Sequence, residues 1–442
     1  MPLRRRVLRA GGWVFAGYGV SQALRLASNL VMTRLLVPEM FGVMAIATTV
    51  MLTLLMMSDL GLRQAIVQSR RGEDPAFLDS AWAVQIVRGV ALWGLALALS
   101  GALHLANAHG LVAAHSVYAS PVLPLVIAMS SFSCVILGFQ STRIATAHRG
   151  LEQKRPVQIE LVAQLAALLV MIPLGVATRS IWALVAGGLV ASLATTALSH
   201  AWMHGHANRF RWERAAVAEL IGFGRWIAAS SALYVLAANG DRLLLGAFVR
   251  ADVLGLYAIA MLFVGAIEGG ISRLFQHVSL PALSEIARGD RSKLRAAYYH
   301  LRLPGDLALL FVAGALFAAG QRLIELLYDP RYADAGGMLQ ILGLSLVALR
   351  YGVANMIYVA VGMPRYQTIV NAVRFVSLYS LVPVLYFLAG TQAAIWGIAL
   401  HALATVPLVH YFNARFGLND WRRELLVLAA LPAGFVCGAL LK

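Results

Sequence analysis

The chain has 442 residues, of which 60% are hydrophobic and only 13% charged, with a mean hydropathy of +0.75. Soluble domains average about 45–50% apolar and about 25% charged residues, so a soluble globular protein is excluded and a polytopic membrane protein is implied. The formal charge of +16 comes with no DNA-binding or RNA-binding motif, so nucleic acid is not an expected partner, and basic loops have a separate use in membranes.

The first residues, MPLRRRVLRA, have the charge of a secretory leader. The apolar run behind them holds Arg25 and shows no cleavage site, which keeps it as a first span. Apolar windows predict helices at 11–36, 41–59, 82–106, 118–138, 157–177 and 180–203, then at 222–249, 254–281, 304–320, 336–361, 369–390 and 392–416, with a short one at 424–441. The second carries no charge from Phe41 to Ser58, enough at about 1.5 Å per residue nearly to cover a hydrocarbon core of about 30 Å. Its opening, Phe41-Gly42-Val43-Met44-Ala45-Ile46-Ala47, returns as Leu254-Gly255-Leu256-Tyr257-Ala258-Ile259-Ala260, again after a polar break and before a long apolar run. Pro38, Pro121, Pro156, Pro281, Pro304, Pro330 and Pro364 are expected at or near breaks, and Pro173, Pro383, Pro407 and Pro432 inside spans as kinks.

The fold class expected is therefore an all-α polytopic membrane protein. It has a six-helix lobe at 1–203, a cytoplasmic connector at 204–221, a second six-helix lobe at 222–416 and an extra hydrophobic helix at 417–442. Because six is even, the lobes share an orientation and are related by a pseudo-two-fold along the membrane normal, with a substrate route between them near the midplane. The polar connector is expected at the membrane surface. His204 and His206 lack further ligands, so no metal is expected, and Cys134 and Cys437, each in an apolar run, are read as packed free thiols.

Lys and Arg alternate from loop to loop. With the N-terminus cytoplasmic, 24 of the 36 fall in cytoplasmic segments, from Arg4 to Arg423, and six outside at Arg34, Arg179, Arg250, Arg322, Arg331 and Lys442. That is the distribution expected of a multi-pass protein oriented by positive cytoplasmic loops. The other six, Arg25, Arg88, Arg242, Arg273, Arg350 and Arg374, lie within spans, each costing about 2.5–3.5 kcal/mol if it faced lipid at a helix centre. They are expected to line a hydrated cavity. Their acidic companions are few, chiefly Asp59, Glu160, Asp241, Glu268 and Asp306, so that cavity should be net positive and suit a phosphate. Arg25 shares a face with Gln22 and Asn29, Arg88 follows Gln85 by three, Arg350 lies near Asn355, and Arg374 follows Asn371 by three. The substrate-binding set is thus Arg25, Asn29, Gln85, Arg88, Arg242, Arg350 and Arg374, with Arg34, Asp59, Asp241, Glu268 and Arg273 as structural or gating charges. No Walker loop, His-Glu-x-x-His or G-x-S-x-G occurs, so neither an enzyme nor a cofactor is expected.

Three stretches carry a family resemblance: Thr33-Arg34-Leu35-Leu36 with Pro38-Glu39-x-Phe41-Gly42; Ser58-Asp59-Leu60-Gly61-Leu62 with Ala65-Ile66-Val67-Gln68; and Asn239-Gly240-Asp241-Arg242-Leu243-Leu244-Leu245-Gly246. This pattern resembles the bacterial polysaccharide transporter, or oligosaccharide flippase, family of the multidrug, oligosaccharidyl-lipid and polysaccharide exporter superfamily. The resemblance implies alternating access in the bacterial inner membrane and an undecaprenyl-diphosphate-linked oligosaccharide as cargo, for exopolysaccharide or lipopolysaccharide O-antigen synthesis. Membrane lipids, a polysaccharide polymerase and other export proteins are the implied partners. A cation-coupled drug exporter of the same superfamily and a non-transporting scaffold of envelope assembly are the alternatives. Relatives often have fourteen helices, whereas thirteen are expected here.

Overall fold

Backbone groups in hydrocarbon have no partner but one another, so long uncharged runs fold as helices, and every regular element among the described residues is helical. The computed structural model describes residues 3–58, 61–150, 152–275, 283, 286–287, 293–352, 356–358, 361 and 363–441. Among them seven helices are long and apolar enough to cross a membrane, and a pair bent by 65° would make an eighth. Asp59, Pro281 and Asn355 fall outside the described residues.

The chain divides into two compact units, residues 1–242 with 250–252, and residues 243–249 with 253–442. The first contains α1 (Leu3–Leu35), α2 (Pro38–Met57), α3 (Leu62–Gln68), α4 (Pro75–Ala108), α5 (Leu123–Gly138), α6 (Arg143–Arg149), α7 (Lys154–Thr178), α8 (Trp182–Ala201) and most of α9 (Arg214–Phe248). α3 and α6, short helices in stretches expected as loops, pack around Ile66, Phe77 and Ala145. α9 begins at Arg214 rather than near 222, because Ala216, Val217 and Leu220 are buried in the same cluster and pull the end of the connector into the helix.

The second unit contains α10 (Ala251–Leu274) from Val253, α11 (Leu294–Leu327), α12 (Ala335–Gly343), α13 (Ser345–Leu349), α14 (Pro364–Leu400), α15 (Val406–Arg415), α16 (Trp421–Leu428) and α17 (Ala430–Ala439). Pro304 does not mark a break. It lies inside a continuous α11 whose flanking Tyr298, Tyr299, Arg302 and Asp306 are all buried, so tertiary contacts outweigh the lost backbone bond. The helix expected over 336–361 is interrupted at Leu344 and again at Arg350 and Tyr351. α14 breaks at Ala389 and Gly390, where Gly390 adopts φ 75°, at the boundary expected between 390 and 392. The final segment packs on α11 through glycines: a Cβ at Gly434 would overlap the Phe311 carbonyl, and one at Gly314 the Leu431 carbonyl. Cys134 is buried as expected, but Cys437 is exposed on the protein surface, because the small residues of α17 face α11 instead.

The repeat holds at the level of local structure. Phe41 and Leu254 are each the fourth residue of their helix, and each helix follows a long one across two residues, Leu36 and Val37 in the first case, Val249 and Arg250 in the second. Ile46 and Ala47, and likewise Ile259 and Ala260, are buried.

Candidate functional site

Three guanidinium groups of the first unit, those of Arg88, Arg143 and Arg149, reach backbone carbonyls at or just beyond helix ends. The last four carbonyls of a helix have no internal partner and carry the negative end of its dipole. Arg88 donates to Leu55 O at 2.6 Å and Ser58 Oγ at 3.0 Å, at the end of α2. Gln85 donates to Leu137 O, Gly138 O and Gln140 O, at the end of α5. Arg149 reaches Ile66 O, Val67 O and Ser69 O after α3, and Arg143 reaches His200 O, Met203 O and His206 O after α8. Gln85 and Arg88, expected on a substrate cavity, are therefore committed to holding helix ends. Arg34 and Arg273, expected as structural charges, sit in the last turns of α1 and α10, where a cation offsets the dipole.

Other candidates of this unit stay apart from these. Arg25 is exposed on α1 and reaches Gln22 Oε1 at 3.2 Å, the start of the expected stripe, with Asn29 half-buried further along. Arg242 reaches Asn239 Oδ1 at 3.4 Å on α9, and the neighbouring Asp241 is buried. Outside the spans, Arg71 bonds Asp74 at 2.8 Å and Glu213 at 2.9 Å, and its guanidinium holds the Asp74 carboxyl below the usual carboxylate range.

In the second unit the arginines meet carboxylates. Arg302, fully buried, forks onto Glu424 at 2.7 and 3.1 Å and pairs with Asp306 at 2.8 Å, while Arg350, 2% exposed, shares Glu424 Oε2 with it. Tyr298 and Tyr299 hydroxyls complete the shell, and the Arg302 guanidinium lies 4.8 Å from the centre of the Tyr351 ring. Two cations and two anions thus balance inside the protein. Arg350 is consequently an ion-pair partner of Glu424 rather than a cavity wall. Arg302 lies in a stretch expected as a loop, and Glu424 at the start of the last expected helix. The signals available were the i,i+4 spacing of Arg302 and Asp306 and the one acid, Glu424, within the apolar stretch 424–441.

Beside this cluster lies a cleft of about 660 Å³ including its open mouth. Its walls are Glu268 from α10, Tyr351 and Gly352 from the interrupted stretch, Asn371 and Arg374 from α14, and His401 and Thr405 from the 3₁₀ turn after it. His401 Nδ1 lies 2.6 Å from Ile398 O, which assigns the proton to Nδ1 and leaves Nε2 to accept from Arg374 Nε at 3.4 Å. Tyr351 links cleft and cluster, accepting from Arg350 Nη2 at 2.8 Å. Of the seven residues expected to bind substrate, only Arg374 lines this cleft, and Glu268 is an acidic wall of it. Among the described residues no three His, Cys, Asp or Glu side chains gather as metal ligands.

The family described as "Polysaccharide biosynthesis protein" matches residues 31–336. No curated protein matches the chain by sequence. Among solved structures, the lipid II flippase MurJ in an inward closed conformation is similar with a TM-score of 0.73 at 13% identity, covering 96% of this chain and 92% of that one. A multidrug resistance MATE family transporter of the MOP superfamily, inward-facing, gives 0.66 at 13% identity over 91% and 94%, and the eukaryotic MATE transporter AtDTX14 gives 0.61 at 13% over 97% and 99%. At such identities the likeness is one of fold: the two-lobed, all-helical architecture of these transporters.

Proposed function

We propose that this chain, which belongs to the polysaccharide biosynthesis protein family, is a flippase. It moves an undecaprenyl-diphosphate-linked oligosaccharide from the inner to the outer leaflet of the bacterial cytoplasmic membrane by alternating access, with its N-terminus cytoplasmic. The observation that carries the reading is the family match over residues 31–336 on a chain with the fold of membrane transporters. The cleft in the second unit supports it physically. Arg374 grips a phosphate through paired N–H groups, while Asn371 and Glu268 take sugar hydroxyls. An inside-negative potential helps expel the anion, by roughly 2.3 kcal/mol per charge per 100 mV. Arg25, Asn29 and Arg242 are proposed as further contacts along the route. A polymerase that consumes the delivered repeat unit is the proposed partner.

Deleting the gene tests this. The expected result is loss of exported polymer, accumulation of the lipid-linked repeat unit on the cytoplasmic leaflet and unaltered sensitivity to cationic dyes. Normal export with heightened dye sensitivity would overturn it in favour of drug efflux.

A further inference from the structure

The proposed transport step makes no use of residues 204–213, yet this stretch is tied to the rest of the first unit at His206, Asn208, Arg209 and Glu213. His206 Nε2 lies 2.7 Å from Asp79 Oδ1, and Arg209 N donates to the same oxygen at 2.9 Å. Asn208 Oδ1 accepts from Ser141 Oγ and Thr142 N, at 2.9 and 3.1 Å, and Asn208 Nδ2 donates to Thr142 Oγ1 at 2.7 Å. Glu213 closes the strap, with its N–H on Ser80 Oγ and its carboxylate on Arg71.

The residues between the pins face outward. Phe210 is 64% exposed and Trp212 47%, and Arg209, Arg211 and Arg214 are exposed beside them. Of the nearby acids, Glu213 and Asp74 pair with Arg71, with Arg211 also acting on Asp74, and the exposed Glu219 accepts from Ser69 Oγ at 2.8 Å, so the cations outnumber the free acid. Two bare aromatic rings interleaved with three cations cost free energy in water. They suit the headgroup zone of a bilayer, where rings insert at the acyl boundary and guanidinium groups pair with phosphate.

We propose that this strap is a docking site for anionic phospholipid headgroups of the leaflet that the basic loops face. Its rigid backing presents Phe210 and Trp212 as wedges and Arg209, Arg211 and Arg214 as phosphate partners, so lipid charge, and not apolar contact alone, holds it at the surface. This rests on the membrane reading of the chain and is independent of the cargo.

The test reconstitutes the full chain in phosphatidylcholine nanodiscs containing a trace of photoreactive phosphatidylglycerol or of photoreactive phosphatidylcholine, with labelled peptides mapped by mass spectrometry. Phosphatidylglycerol is expected to label the peptide carrying Phe210 and Trp212 several-fold more than phosphatidylcholine. Arg209→Gln with Arg211→Gln should bring that preference close to one, because the charges that select the anionic headgroup are gone. His206, Asn208 and Asp79 stay intact in that variant. Should it nevertheless unfold, raising salt from ~0.1 M to ~1 M on the wild type takes its place, and the preference must fall. Equal labelling by the two lipids, a preference that ignores both charge removal and salt, or no labelling by either lipid, as for a strap covered by a protein partner, would each overturn the proposal.

Discussion

The two units solve one problem with different acceptors. In the first, arginines end on backbone carbonyls: Arg88, inside a span, after α2, and Arg149 and Arg143, in a segment expected at the cytoplasmic side, after α3 and α8. In the second, Arg302 and Arg350 end on the carboxylates of Glu424 and Asp306. A carbonyl at a helix end carries only a partial charge and accepts water if its donor is lost, whereas a buried carboxylate between two guanidinium groups has no substitute. The same residue type should therefore be dispensable to different degrees in the two units.

Removing the shared acceptor gives the largest expected effect. Glu424→Gln leaves Arg302 and Arg350 buried without it, and a loss of about 3–5 kcal/mol is expected, read as a steep fall in unfolding temperature in detergent or absence of the protein from the membrane. A stable, abundant variant would show that the pairs are worth no more than surface bridges. Gly434→Val, which forces a side chain against the Phe311 carbonyl, should cost about 1–3 kcal/mol by the same assay and loosen the segment that carries Glu424. In the first unit, Arg143→Gln gives up three carbonyl contacts, and about 1–3 kcal/mol is expected, clearly less than for Glu424. Equal losses at the two sites would erase the contrast. Arg71→Gln, on a half-exposed pair of bridges outside the spans, should change the unfolding temperature least of all.

Which parts were legible in the sequence follows the same division. Hydropathy located the long apolar helices α2, α4, α7, α8 and α10, and Phe41 and Leu254 take identical places in α2 and α10 because both open a helix directly after a short turn. Glu268 and Arg374 were visible as charges inside spans, and they share a cleft. Gln85, Arg88 and Arg350 were equally visible, but their partners were not. A backbone carbonyl has no letter in the sequence, and the carboxylate paired with Arg350 lies 74 residues away in the last segment. Counting charges therefore predicts a positive chamber, whereas the acceptors decide where each charge goes. The end of α9 within the connector and the unbroken α11 escaped for a related reason, since burial by distant residues overrode the local polar and proline signals.

In the proposed function Arg374 is the arginine of the second unit that meets the cargo, whereas Arg302 and Arg350 serve the architecture. Transfer of a fluorescent undecaprenyl-diphosphate oligosaccharide across proteoliposomes tests that most directly. Arg374→Gln is expected to slow transfer at least tenfold (about 1.4 kcal/mol or more) while the unfolding temperature stays that of the wild type. Transfer at the full rate by this variant would contradict the assignment.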